Sequence, residues 1–157
     1  MKLFYWFLMI CVLFIASCES AKIPYSDQDV ALISEVFAET QKMHEGLLRT
    51  PAKLSLEQIQ ASIESLNKST HPKIKEWKGQ LTASLPKNPQ DLEASFEDLS
   101  KFSLLLVEIR KEVKLPETYQ QFYCPMVEKY WVSKDKEVRN PYSPEMRDCG
   151  EKIPEVQ

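Results

Sequence analysis

The chain has 157 residues, a formal net charge of −3 and only three glycines. That charge gives no electrostatic footprint for nucleic acid, which is excluded as a partner. GxGxxG, P-loop, HExxH and GxSxG patterns are absent, and two histidines, His44 and His71, leave little material for a histidine-based catalytic centre, so no enzyme is expected.

The chain opens MKLFYWFLMICVLFIASCES. Lys2 precedes an apolar run from Leu3 to Ala16, shorter than the stretch of about 20 residues that spans a bilayer. A positive start, an apolar middle and a small-residue end make a secretory signal. Its end, Ile15-Ala16-Ser17-Cys18, resembles a bacterial lipobox, in which the cysteine is acylated and becomes the new first residue. Small residues there let the peptidase reach the backbone beside the modified cysteine. Two or three acyl chains on Cys18 give a stable anchor, where one would be marginal. The expected location is the cell envelope, lipid-anchored on the periplasmic side of the inner or outer membrane or at the cell surface. Removing residues 1–17 takes Cys11 with it. With Cys18 acylated, Cys124 and Cys149 remain as the one free pair, in an oxidising compartment.

Residues 18–25 read as a tether. Ser26 or Asp27 caps a first helix, with Val30, Ile33, Phe37, Thr40, His44 and Leu47 along one face. Ser55 and Gln58 form a capping box for a second, striped by Leu56, Ile59, Ile63 and Leu66. Thr70 caps a third, with Ile74, Trp77, Leu81 and Leu85 in line, and His71 is expected in a solvated turn. Asn88-Pro89 signals the start of the fourth. Its stripe runs through Leu92, Phe96, Leu99, Phe102, Leu106, Ile109 and Val113, and its acidic residues Glu93, Glu97 and Asp98 read as a solvated face. Short connections between four amphipathic helices predict an all-α fold, an antiparallel four-helix bundle over residues 26–114.

Beyond Pro116 the texture changes. Pro125, Pro141, Pro144 and Pro154 forbid a long helix, yet Tyr119, Phe122, Tyr123, Tyr130, Trp131 and Tyr142 are too many aromatics for a disordered tail. Residues 115–152 are therefore expected as an irregular, aromatic- and proline-rich segment of the same domain, packed on the bundle and bracketed by Cys124 and Cys149, with 153–157 as a short tail. Trp131 and Tyr142 are expected to plug this segment onto the helices or to line a small cleft. Two chemistries are open for the cysteines. A Cys124–Cys149 disulfide would clamp the segment, with Met126 and Met146 as packing. In the reduced form Cys124, Met126, Met146 and Cys149 offer two thiolates and two thioethers, a donor set that favours Cu(I).

The run Cys124-Pro125-Met126, Trp131-Val132-Ser133, Asn140-Pro141-Tyr142, Met146, Cys149-Gly150 is similar to an uncharacterised exported helical domain. That domain occurs in bacterial lipoproteins and fused to CusB-type heavy-metal efflux adaptors. The likeness covers roughly residues 30–151. It implies a helical fold, a copper- or heavy-metal-related envelope setting, an efflux assembly as partner, and no established enzyme activity. Members often carry His before the first cysteine, where Tyr123 stands, and a glycine pair or Tyr-Gly after Asn-Pro-Tyr, where Ser143-Pro144 stands. Cys-Pro-Met also resembles the start of a Cys-Pro-Met-His-Pro motif of copper pumps, but Val127-Glu128 replaces the His-Pro. Two functions are expected from these features. The first is a lipid-anchored envelope binding or interaction module associated with copper or other heavy-metal handling. The alternative is a structural envelope lipoprotein whose cysteine pair is only a staple.

Overall fold

The computed structural model describes residues 23–154. The expected signal segment, Cys18 and the first residues of the expected tether lie outside them.

Among the described residues four α-helices come first: α1 (Asp27–Leu47), α2 (Glu57–Ser65), α3 (Pro72–Ser84) and α4 (Leu92–Glu112), with a 3-10 turn, Leu66–Lys68, extending α2. Ser26 and Asp29 form a reciprocal capping box at the start of α1. The Asp29 carboxylate also accepts a 2.5 Å bond from Ser69 Oγ, which pins α1 to the connection before α3. Burial works against the charge on Asp29, but the bonds from Ser69 and Ser26 outweigh it and hold the carboxyl below its usual range. The four apolar stripes converge on one core, with Ile33, Phe37, Leu47, Ile59, Ile63, Leu66, Ile74, Leu81, Leu99 and Phe102 essentially inaccessible to solvent.

Three caps depart from the sequence reading. The second helix begins after Leu56 without a side-chain cap, so Ser55 and Gln58 make no capping box there. Asp91, not Asn88, caps α4 through the Ala94 N–H, leaving Asn88-Pro89 in the preceding turn. His71, not Thr70, caps α3, and it is buried rather than solvated: Nδ1 accepts from Lys73 N and Nε2 bonds the Ile23 carbonyl at 3.1 Å. Because Nδ1 is an acceptor, Nε2 carries the proton.

The fold is mixed α/β, not the all-α antiparallel four-helix bundle expected from the stripes. The segment 115–152 is not irregular throughout. It contains strands β1 (Gln120–Cys124) and β2 (Lys129–Ser133), and with β3 (Glu151–Ile153) these make an antiparallel sheet in the order β2-β1-β3. Phe122 faces Trp131 across the hairpin and Tyr123 faces Tyr130, each pair stacked, with ring centroids 5.5 and 4.4 Å apart. Such cross-strand aromatic pairs stabilise a hairpin. The prolines do not interrupt it, because Pro125 opens the four-residue loop and the others fall outside the strands. Glu128, at φ 52°, takes the left-handed position that glycine usually fills.

The sheet docks on the helices through β2, which lies along α4, where the Tyr130 N–H donates to Ser100 Oγ at 2.8 Å. On α1, Gln41 Oε1 accepts from Ser133 Oγ and Lys134 N. The backbone N–H of Lys134 thereby finds a partner outside the sheet ladder.

Candidate functional site

The two cysteines of the sequence motif are bonded to each other, with Cα atoms 5.6 Å apart. The bond joins the end of β1 to the turn just before β3. Cys124 is fully buried and Cys149 partly so. Closing a loop of this length stabilises the fold by about 3 kcal/mol in the chain-entropy model. Met146 lies in the same turn, its carbonyl accepting the Cys149 N–H at 3.0 Å, and its side chain is half-buried. Met126 stands on the hairpin loop with 72% of its surface exposed, so it is not core packing. Cu(I) takes thiolates and thioethers. In the bonded form the two cysteine sulfurs are not thiolates, and this donor set does not fit the metal. Among the described residues no group of three or more His, Cys, Asp or Glu side chains is arranged to hold a metal ion.

The Asn140-Pro141-Tyr142 run closes the segment over the helices. Asn140 Oδ1 accepts the Tyr142 N–H at 2.9 Å, a side-chain turn that sets the direction of the chain. The Asn140 N–H donates to the Arg147 carbonyl, and Arg147 donates back to the Asn140 carbonyl. The other arm of Arg147 reaches the Leu47 carbonyl at the end of α1, at 2.9 Å, satisfying one of the helix's orphan acceptors. Tyr142 then inserts between α1 and α4. Its hydroxyl lies 3.0 Å from His44 Nε2 and 3.4 Å from Ser103 Oγ. Its ring meets Phe96 at 5.4 Å and the edge of Trp131 at 6.4 Å. Tyr142 thus plugs the segment onto the helices and also lines a cleft, while Trp131, 1% exposed, packs on Phe122 and Tyr142 of the segment itself.

Burial dominates the electrostatics of this plug. It pushes the Tyr142 phenol well above its usual range, although the Ser103 bond works the other way. It also pushes the His44 imidazole down to about 4, although the Val132 carbonyl and Asp135 favour the charged ring. His44 Nδ1 makes no hydrogen bond of good geometry, and neither does Asn140 Nδ2. Near neutral pH His44 and Tyr142 are both uncharged, and with Ser103 they serve as polar glue.

Beside the plug an open cleft of about 620 Å³ runs across three parts of the fold. Leu92 and Phe96 from α4 and Val127 from the hairpin loop give it an apolar floor, completed by Tyr142 and Pro144. Ala52 also lines it, and Glu93, Glu97 and Lys129 are its charged lining. Lys129 pairs with Glu97 at 2.8 Å, and this bond with its charge holds the Glu97 carboxyl below its usual range. The acidic residues read as a solvated face are therefore, for Glu93 and Glu97, part of the lining of the cleft.

The start of the described chain lies at the far end of α4. Tyr25 stacks on His71 at 4.4 Å and on Trp77 at 5.7 Å, and its hydroxyl donates to Glu112. Burial, then the Glu112 charge, pushes its phenol up to about 12. Of the expected tether, Tyr25 is thus fastened to the helices, while the Ile23 and Pro24 side chains are exposed. Leu92 and Glu112 are the two ends of a 21-residue helix, so Tyr25 and the cleft are about 30 Å apart.

Sequence reading singled out neither Gln41, Ser100 and Ser103 nor Arg147. The small side chains of Ser95, Ser100 and Ser103 on the flank of the α4 stripe are the one signal that another segment approaches closely there. Comparison with known protein families, with curated proteins and with solved structures finds no match to the chain. No described helix is long and apolar enough to cross a membrane.

Proposed function

We propose that the protein is a non-enzymatic, lipid-anchored binding module of the cell envelope, held to the membrane through Cys18. The observation that carries this reading is the polarity of the domain. Tyr25, near the start of the described residues, is fastened at one end of α4, and the open cleft lies at the other end. Only five positions separate Cys18 from Ile23, a reach of at most about 18 Å. An anchor there keeps the Tyr25 end near the lipid and holds the cleft out toward partners. The Cys124–Cys149 bond supports an oxidising compartment, and the lipobox-like Ile15-Ala16-Ser17-Cys18 supports the anchor. Expressing the chain in a bacterium with its own lipoprotein machinery tests the reading. The wild type should sediment with membranes and Cys18→Ala should not be acylated. An unacylated wild type, or a retained Met1, overturns it.

A second reading, copper or other heavy-metal handling in contact with an efflux assembly, is supported by the motif resemblance and by one local feature. The scaffold holds two cysteines together with Met146 in the same turn as one and Met126 two positions from the other. This reading requires a reduced pair. Reduced protein should take up about one Cu(I), and Met126→Leu with Met146→Leu should weaken that uptake. Equal uptake by a Cys124→Ser, Cys149→Ser variant removes it.

A further inference from the structure

We infer that residues 135–148 form an acid-released strap: when His44 takes up a proton, Tyr142 leaves its seat between α1 and α4 and the strap lifts from the helices. This goes beyond the binding-module reading and does not need the anchor. The strap has the build of a part that moves alone. It contains no helix or strand, and it runs from just past β2 to the Cys124–Cys149 bond. Both of its ends are thus held by the sheet, so it can lift while the sheet stays docked. Lys136, Glu137, Arg139, Glu145 and Asp148 along it are exposed, and only the run Asn140-Pro141-Tyr142-Ser143 is buried. Side-chain bonds tie it to the helices at three places: Asp135 to Gln41, Arg147 to the Leu47 carbonyl, and Tyr142 to His44 and Ser103.

The tie through Tyr142 is the one that acid cuts. His44 is buried, and its Nδ1 approaches the Val132 carbonyl of β2 without a bond of good geometry. Facing a carbonyl, Nδ1 holds the proton of the neutral ring, and Nε2 accepts from the Tyr142 hydroxyl. A proton arriving at Nε2 turns that acceptor into a donor. Tyr142 then has nothing to donate to there, and a charge is left in a dry site. The surroundings do little to balance it. Ser103 of α4 is neutral, Glu45 of α1 is exposed, and Arg147 brings a second cation to the Leu47 carbonyl. Asp135 favours the charged ring but is itself bonded to Gln41. Once the strap lifts, water solvates the imidazolium, so the open form takes the proton more readily than the closed one. Opening also takes Tyr142 and Pro144 out of the wall of the cleft, and acid thereby reshapes it.

The test follows amide hydrogen exchange by NMR on the full chain, isotope-labelled and oxidised, in uncharged lipid nanodiscs, with rates corrected for the intrinsic effect of pH. The Asn140 and Tyr142 amides, bonded to the Arg147 carbonyl and to Asn140 Oδ1, report on the strap. Phe122 and Ile63 report on the sheet and the helices. The strap amides should open more than about ten-fold as often as those of Phe122 and Ile63 at every pH, as a locally opening unit does. Their opening should rise about twenty-fold from pH 7 to pH 5, because His44 titrates near 6.5 in water and near 4 in its seat. His44→Gln should abolish that rise. Tyr142→Phe, which keeps the ring and removes the donor, should open the strap about ten-fold more at pH 7. The inference is overturned if the strap amides exchange in step with Phe122 and Ile63, or if the rise is absent or survives His44→Gln. It is overturned equally if Tyr142→Phe leaves the opening unchanged.

Discussion

The helical part, residues 26–113, and the C-terminal part, 119–153, are held by different forces. The helices bury continuous apolar stripes, and each burial of a leucine or isoleucine contributes about 1.5–3 kcal/mol. The C-terminal part has short strands and few aliphatic residues. It is fixed by aromatic plugs, by side-chain bonds to exposed backbone groups and by one disulfide. The helices are specified by periodicity and tolerate local change. The C-terminal part depends on a few residues, each with several partners.

The sharpest way to break that contrast is Trp131→Ala. Trp131 is 1% exposed and stacks on Phe122 while meeting Tyr142 edge-on. Its loss should cost about 3–5 kcal/mol, read by chemical denaturation, with the C-terminal part losing hydrogen-exchange protection before the helices. A loss below about 1 kcal/mol would place the plug outside the core. Next is the clamp. Cys124→Ser should cost about 3 kcal/mol and should loosen residues 119–153 more than α2 and α3.

Acid should act on the same plug. His44 titrates near 6.5 when unfolded and near 4 when folded. Between those values the unfolded chain binds the extra proton, so stability falls as pH drops below about 6.5. The loss is complete near pH 4, at about 3 kcal/mol. His44→Gln should flatten this part of the stability–pH curve. An unchanged curve would move the acid sensitivity to other groups. The smallest effect, about 1 kcal/mol, is expected for Ser100→Ala, which leaves the Tyr130 N–H without its partner.

Legibility in the sequence follows the same divide. The stripes of all four helices were readable because a 3.6-residue period survives wherever one face is buried, and residues such as Ile74, Trp77, Leu81 and Leu85 are all in the core. The hairpin was not readable. Its two faces are both aromatic, Phe122 and Trp131 on one and Tyr123 and Tyr130 on the other, so the polar–apolar alternation of a half-buried strand is missing. Its loop, Pro125-Met126-Val127-Glu128, has no glycine, and Glu128 supplies the left-handed residue. The prolines suggested an irregular chain because their places between strands are set by pairing, which the sequence does not display. At the candidate site the cysteine pair and the Tyr142 plug were legible as a motif. Gln41, Ser100 and Arg147 were not, because their partners are backbone groups far along the chain.

The central claim is that the Cys124–Cys149 bond staples the C-terminal part of the domain. The direct measurement is native mass spectrometry of protein taken from the cell envelope, with free thiols alkylated at lysis. The account predicts no alkylation at Cys124 or Cys149, a peptide linking the two, and no bound metal. Two alkylated cysteines in a protein that carries copper would contradict it.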